Sequence, residues 1–188
     1  MTRIFLIGYM GSGKTTVGKC MAKRLNTPFV DFDFFIENRY RKSINQLFAE
    51  RGESGFRKIE RKILEEVAGF ENVIISTGGG VPCFNDNMEL MNRKGITVYL
   101  KVSVNELVSR LEACKQTRPL LKDKNKEELF RFVSETLQQR ECFYNRAKII
   151  FDTEKLTTHT DVESITEKLI SYLSESYCIG EGNLNDML

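Results

Sequence analysis

Short apolar runs alternate along the chain with longer segments of helical period. Residues 3–7 (RIFLI), 28–33 (PFVDFD), 72–77 (NVIIST), 97–102 (TVYLKV) and 149–152 (IIFD) read as strands, the first four through continuous β-branched or aromatic stretches. Between them the pattern predicts helices near 14–25, 34–40, 43–50, 54–69, 85–94, 104–114, 126–145 and 160–175. Such alternation belongs to a parallel sheet covered by helices on both faces, an α/β three-layer fold. Ligands of such sheets sit at the carboxyl ends of the strands. Residues 115–128 are polar and charged, with a break at Pro119, and read as a long mobile loop. The stretch 180–188 has no period. We therefore expect one domain over residues 1–175 and a frayed tail over 176–188.

What each strand runs into carries the chemistry. Strand one runs into Gly8-Tyr9-Met10-Gly11-Ser12-Gly13-Lys14-Thr15-Thr16, which fits the phosphate-loop pattern G-x-x-x-x-G-K-[ST]. Glycines permit the left-handed turns that aim backbone N–H groups at an anion, and the next helix adds its unpaired N–H groups and dipole. Lys14 supplies a mobile charge for the β and γ phosphates, and the Thr15 hydroxyl can ligate Mg²⁺. The loop predicts a bound nucleoside triphosphate. Gly11, Ser12, Gly13, Lys14, Thr15 and Thr16 are its binding residues.

Strand two carries Asp31 and Asp33, two apart, which on a pleated strand point to one side. One could face a metal and one a hydroxyl acceptor; alternatively Asp33 caps the following helix. Strand three ends in Gly78-Gly79-Gly80, which strips side chains from the place a ligand would occupy. On the helix after residue 54, Ile59, Ile63 and Val67 form an apolar stripe, with Arg57 and Glu60 at pairing distance beside it. On the helix near 126–145, Leu129, Val133 and Leu137 form a stripe that continues through Arg140 to Tyr144. An arginine in an apolar stripe is costly unless it snorkels or meets an anion. Arg118-Pro119-Leu120 lies in the charged loop, where an arginine suits a lid over a transferring phosphoryl group.

Composition narrows the partners. The 188 residues carry a net charge of +2, without the basic excess of a nucleic-acid footprint. Five scattered cysteines without CxxC spacing and one histidine argue for reduced thiols and against a structural zinc site. No apolar run approaches the ~20 residues of a membrane span, and strand one begins too early for a signal peptide. A cytoplasmic protein is expected. No D-x-x-G or N-K-x-D motif points to a regulatory GTPase.

Taken in order, these motifs resemble the shikimate kinase family: the phosphate loop, D-x-D on strand two, F-R-x-x-E at Phe56-Arg57 and Glu60, G-G-G, R-P-L, and R-x-x-x-Y at Arg140 and Tyr144. The match covers about residues 3 to 152. The resemblance implies a five-stranded parallel sheet in order 2-3-1-4-5 with a mobile lid, and ATP-dependent phosphorylation of the 3-hydroxyl of shikimate in aromatic amino-acid biosynthesis. It implies ATP and Mg²⁺ as cofactors and a monomer whose partner is the small-molecule substrate. By position, Asp33 would contact the shikimate hydroxyls, Arg57 and Arg140 its carboxylate, and Gly79 would approach through its backbone with Gly78 and Gly80 beside it. Phe48 and Phe56 would wall the acceptor pocket. Thr15 would ligate Mg²⁺, Asp31 would reach it through water, and Lys14 and Arg118 would serve the phosphates. The adenine end is thinner, with Arg110 a candidate or a surface residue. A gluconate-type or nucleotide-acceptor kinase is the nearest alternative, and a nucleotide-sensing module without transfer the next.

Overall fold

The computed structural model describes residues 2–113, 124–153, 156 and 158–177. Five strands, β1 (Arg3–Ile7), β2 (Phe29–Asp31), β3 (Val73–Ser76), β4 (Ile96–Lys101) and β5 (Ile149–Asp152), form one parallel sheet in the order β2-β3-β1-β4-β5. The order expected from the resemblance is the order found. Seven helices cover it among the described residues: α1 (Lys14–Arg24), α2 (Phe32–Tyr40), α3 (Ile44–Val67), α4 (Asn87–Lys94), α5 (Val104–Ala113), α6 (Lys126–Tyr144) and α7 (His159–Tyr177). A single 3₁₀ turn, Val81–Cys83, lies between β3 and α4.

Alternation within β1 separates two cores. Ile4 and Leu6 face α1 and α7, where Val17, Met21, Ile165, Leu169 and Leu173 are buried with them. Phe5 and Ile7 face the other layer, with Ile63, Leu64 and Val67 of α3, Leu107 of α5, and Leu129 and Val133 of α6. Both faces of β1 are dry, which is why its sequence is a continuous apolar run. Each fully buried aliphatic side chain here contributes about 1.5–3 kcal/mol.

The helix termini are encoded locally. Ser43 and Asn125 each close a capping box, with Gln46 and Glu128 respectively, and so set the starts of α3 and α6. The latter makes Lys126 to Glu128 the first turn of α6 rather than loop. The other loop residues, 115–123, with Arg118 among them, lie outside the described residues, as does the tail from 178 onward. The two helices expected over 43–50 and 54–69 are one kinked helix, broken at Gly52, whose φ of 65° only glycine adopts without strain.

The expectation for residues 28–33 needs correction. The strand stops at Asp31, whose carboxylate accepts a hydrogen bond from the Phe34 N–H at 3.3 Å and caps α2. Asp33 therefore stands in the first helical turn, and the two carboxylates are not pleat neighbours. An aspartate three residues before an unpaired helical N–H satisfies that donor, which outcompetes continuing the strand. No helix among the described residues is long and apolar enough to cross a membrane.

Candidate active site

A cavity of about 550 Å³ opens at the carboxyl ends of β1, β2 and β3. The phosphate loop forms its floor, through Gly11, Gly13, Lys14, Thr15 and Thr16. Gly13 is the N-cap of α1 at φ 93°, so the helix's unpaired N–H groups open toward the cavity. Ser12 is buried beneath the loop, its backbone N–H donating to the Tyr9 carbonyl at 3.2 Å. The Lys14 ammonium is held over the loop by the carbonyls of Gly8 (2.9 Å) and Tyr9 (2.8 Å).

Three oxygens converge beside Lys14. The Thr15 hydroxyl donates to Asp31 Oδ2 at 2.9 Å and lies 3.3 Å from the Ser76 hydroxyl. Ser76 ends β3 and carries no sequence signal beyond its strand, so it was invisible until β3 was placed beside β2. Hard oxygen donors of this kind suit Mg²⁺. Across the cavity, Arg110 lies 13% exposed and donates to Glu106, to the Gly11 carbonyl (3.3 Å) and to the Thr153 carbonyl (3.0 Å). It is no surface residue: it joins α5 to the phosphate loop and to the end of β5.

Gly78 and Gly80 each leave room for a charged side chain. A Cβ on Gly78 would stand 2.6 Å from Asp33 Oδ1, and one on Gly80 would stand 3.0 Å from Arg57 Nη1. A Cβ on Gly79 would meet the Gly8 and Met10 backbone at 3.4 Å and Arg140 Nη1 at 3.6 Å, and the Tyr144 hydroxyl donates to the Gly79 carbonyl at 2.7 Å. Three glycines in a row thus bring one carboxylate and two guanidinium groups around one turn of backbone. Asp33 lines the cavity itself; Arg57, Arg140 and Gly80 form the wall beyond it. Phe48 and Phe56, stacked with centroids 4.2 Å apart, back that wall.

Arg57 and Glu60 meet at 2.6 Å, as their spacing predicts, but not as a surface pair: Glu60 is 3% exposed. Burial raises the Glu60 carboxyl above its ordinary 4.5, the hydrogen bond and charge of Arg57 oppose the rise, Asp33 adds to it, and Arg140 opposes it. From 4.5 upward to that raised value, the folded chain holds more protons on this group than the unfolded chain. Stability from Glu60 is therefore fully present below the unfolded pKa and lost as pH rises through the folded one. Glu60→Gln, which does not titrate, is expected to lose less stability than the wild type across that window. Denaturant midpoints measured at several pH values check this, and parallel curves would refute it.

Burial also pushes the Cys83 thiol, on the 3₁₀ turn, up to about 11. Among the described residues Cys20, Cys83 and Cys142 are free thiols, with Cys142 on the surface. No set of three histidine, cysteine or acidic side chains able to hold a metal occurs among the described residues.

Known proteins resemble the chain over nearly its whole length. A shikimate kinase family model matches residues 10–171. The shikimate kinase of Parabacteroides distasonis is 58% identical over 173 residues, covering 92% of this chain and 100% of that protein. The crystal structure of shikimate kinase from Bacteroides thetaiotaomicron superposes with a TM-score of 0.89 at 51% identity, covering 92% of this chain and 98% of that one. Shikimate kinase from Acinetobacter baumannii, solved in complex with shikimate, gives 0.80 at 31% identity over 94% and 96% of the two chains. With a family model matched over residues 10–171 and relatives more than half identical over nearly its whole length, the chain belongs to the shikimate kinase family.

Proposed function

We propose that the chain transfers the γ-phosphoryl group of ATP to the 3-hydroxyl of shikimate, in the cytoplasm and as a monomer, in aromatic amino-acid biosynthesis. The observation that carries this reading is the grouping of Asp33, Arg57 and Arg140 around Gly78-Gly79-Gly80, one wall away from the phosphate loop. Two guanidinium groups suit a planar carboxylate, a carboxylate suits hydroxyls, and the stacked phenylalanines suit the carbon ring. A nucleotide acceptor would bring a phosphate and a base to be stacked, and gluconate offers no ring. Family membership likewise does not favour either alternative.

In this reading Lys14 and the N-terminus of α1 hold the β and γ phosphates, and Gly11, Gly13 and Thr16 shape their cradle. Thr15, with Asp31 behind it, holds Mg²⁺, and the convergence of the Thr15, Asp31 and Ser76 oxygens supports that fit. When bound, the ion neutralises charge on the β and γ phosphates. Arg57 and Arg140 fix the acceptor by its carboxylate so that its 3-hydroxyl lies beside Asp33. As the hydroxyl oxygen bonds to the γ-phosphorus, the bond to the β–γ bridging oxygen breaks, and the hydroxyl proton passes to the Asp33 carboxylate. Arg118 is assigned to the phosphates by its R-P-L motif alone.

Acceptor-dependent ADP release tests the reading. Shikimate is expected to drive turnover, with gluconate and nucleoside monophosphates inactive; acceptor-independent turnover would favour a sensing module instead. A second test uses Gly78→Ala. Its methyl group would displace the Asp33 carboxylate, and a misplacement near 1 Å costs about 100-fold in turnover. Nucleotide affinity, measured by titration with ADP, is expected to hold. Unchanged turnover at saturating acceptor would remove Asp33 from the reacting centre.

A further inference from the structure

Arg57 is held on more sides than a substrate-binding arginine needs for charge alone. Nη1 donates to Glu60 at 2.6 Å and Nη2 to Glu53 at 3.2 Å. The guanidinium carbon lies 3.6 Å from the centroid of the Phe84 ring, against 5.6 Å for Phe48 and for Phe56. At 3.6 Å the ring covers one guanidinium face at van der Waals contact, the distance at which ring quadrupole and cation attract. Nε is buried without a partner among the described residues. A buried donor of this kind is costly unless something else accepts from it.

Phe84 is itself fixed. It ends the 3₁₀ turn in extended backbone, φ −121° and ψ 151°, directly after Val81–Cys83. The Cys83 N–H donates to the Gly80 carbonyl at 2.9 Å, and the Phe84 carbonyl accepts from the Asn87 N–H at 3.3 Å. Fully buried Asn87 also donates from its side chain to the Val81 carbonyl at 2.9 Å. The glycine turn that makes room for Arg57 therefore runs within four residues into the ring that covers it.

We propose that Phe84 is a positioning residue for substrate, which fixes the plane of the Arg57 guanidinium so that its in-plane N–H groups meet the acceptor carboxylate. This rests on the reading that Arg57 binds that carboxylate. A covered face sheds water and leaves only in-plane N–H groups to bond, and paired bonds to a carboxylate require that plane. Phe84 does not line the cavity over the phosphate loop, so its effect belongs in acceptor binding and not in the chemical step.

The test is steady-state kinetics of the full chain as wild type, Phe84→Leu, Phe84→Tyr and Arg57→Ala. Phe84→Leu keeps apolar bulk but has no ring face. It is expected to raise KM for shikimate several-fold, with kcat, KM for ATP and the thermal midpoint close to wild type. Phe84→Tyr, which keeps the face, is expected to stay near wild type. Arg57→Ala is expected to raise the same KM more, and adding Phe84→Leu to it is expected to cost little further. If Phe84→Leu matches the wild type, or lowers kcat and thermal midpoint as well, the ring only packs and the proposal is wrong. If Arg57→Ala leaves KM for shikimate unchanged, the reading of Arg57 itself fails, a result separate from any behaviour of Phe84.

Discussion

Lys14→Ala is expected to reduce phosphoryl transfer by roughly 10²–10³-fold or more, the scale on which a single preorganised group opposite developing charge acts. Lys14 is 8% exposed and its ammonium is tied to the Gly8 and Tyr9 carbonyls, so it waits at the floor of the cavity instead of sweeping through solvent. Charge spreads over the equatorial oxygens of the transferring group, and a preplaced cation costs little reorganisation there. Lys14 belongs to neither apolar core, so the fold is expected to survive its loss, with the circular dichroism spectrum unchanged. Near wild-type turnover in single-turnover mixing experiments would end the phosphate-loop reading.

Arg140→Ala is expected to act on the other half of the reaction. Leu129, Val133, Leu137 and Tyr144 of the same α6 stripe are buried, and Arg140, between them, reaches the Gly79 backbone beside the Tyr9 ring. Removing one partner of a desolvated, hydrogen-bonded charge pair costs about 2–5 kcal/mol, so KM for shikimate should rise by about 30-fold at the low end. The dissociation constant for ADP should stay nearly unchanged. Arg140→Lys should recover only part of the loss, because an ammonium does not offer two parallel donors. An acceptor with its carboxylate reduced to an alcohol should bind poorly to the wild type and lose little further in the variant. A purely structural Arg140 would instead penalise both acceptors equally and lower the thermal midpoint.

Much of this site is written in local sequence because its parts are local. The phosphate loop is one strand end and one helix start. Arg57 and Glu60 meet at 2.6 Å because helical spacing i,i+3 puts them there, and Arg140 stands out because its position in a stripe is a matter of period alone. Asp31 and Asp33 both line the cavity, but not as pleat neighbours, for an equally local reason: the strand ends at Asp31, which caps α2. Contacts between distant segments left no such trace. Nothing in Ser76 marks it as a neighbour of Thr15, 61 residues away, and nothing in Phe84 announces a ring against Arg57. The three glycines were legible as cleared space. That Asp33 of α2, Arg57 of α3 and Arg140 of α6 gather around them depends on how those helices sit at the end of β3, which no periodicity encodes.

If the phosphoryl group of ATP ends on the 3-oxygen of shikimate, proton–phosphorus correlation NMR of the reaction mixture reads that bond directly. One new phosphorus resonance is expected, growing with ADP and correlated with the ring proton on carbon 3. A correlation with the proton on carbon 4 or 5, or ADP appearing with inorganic phosphate alone, would contradict it.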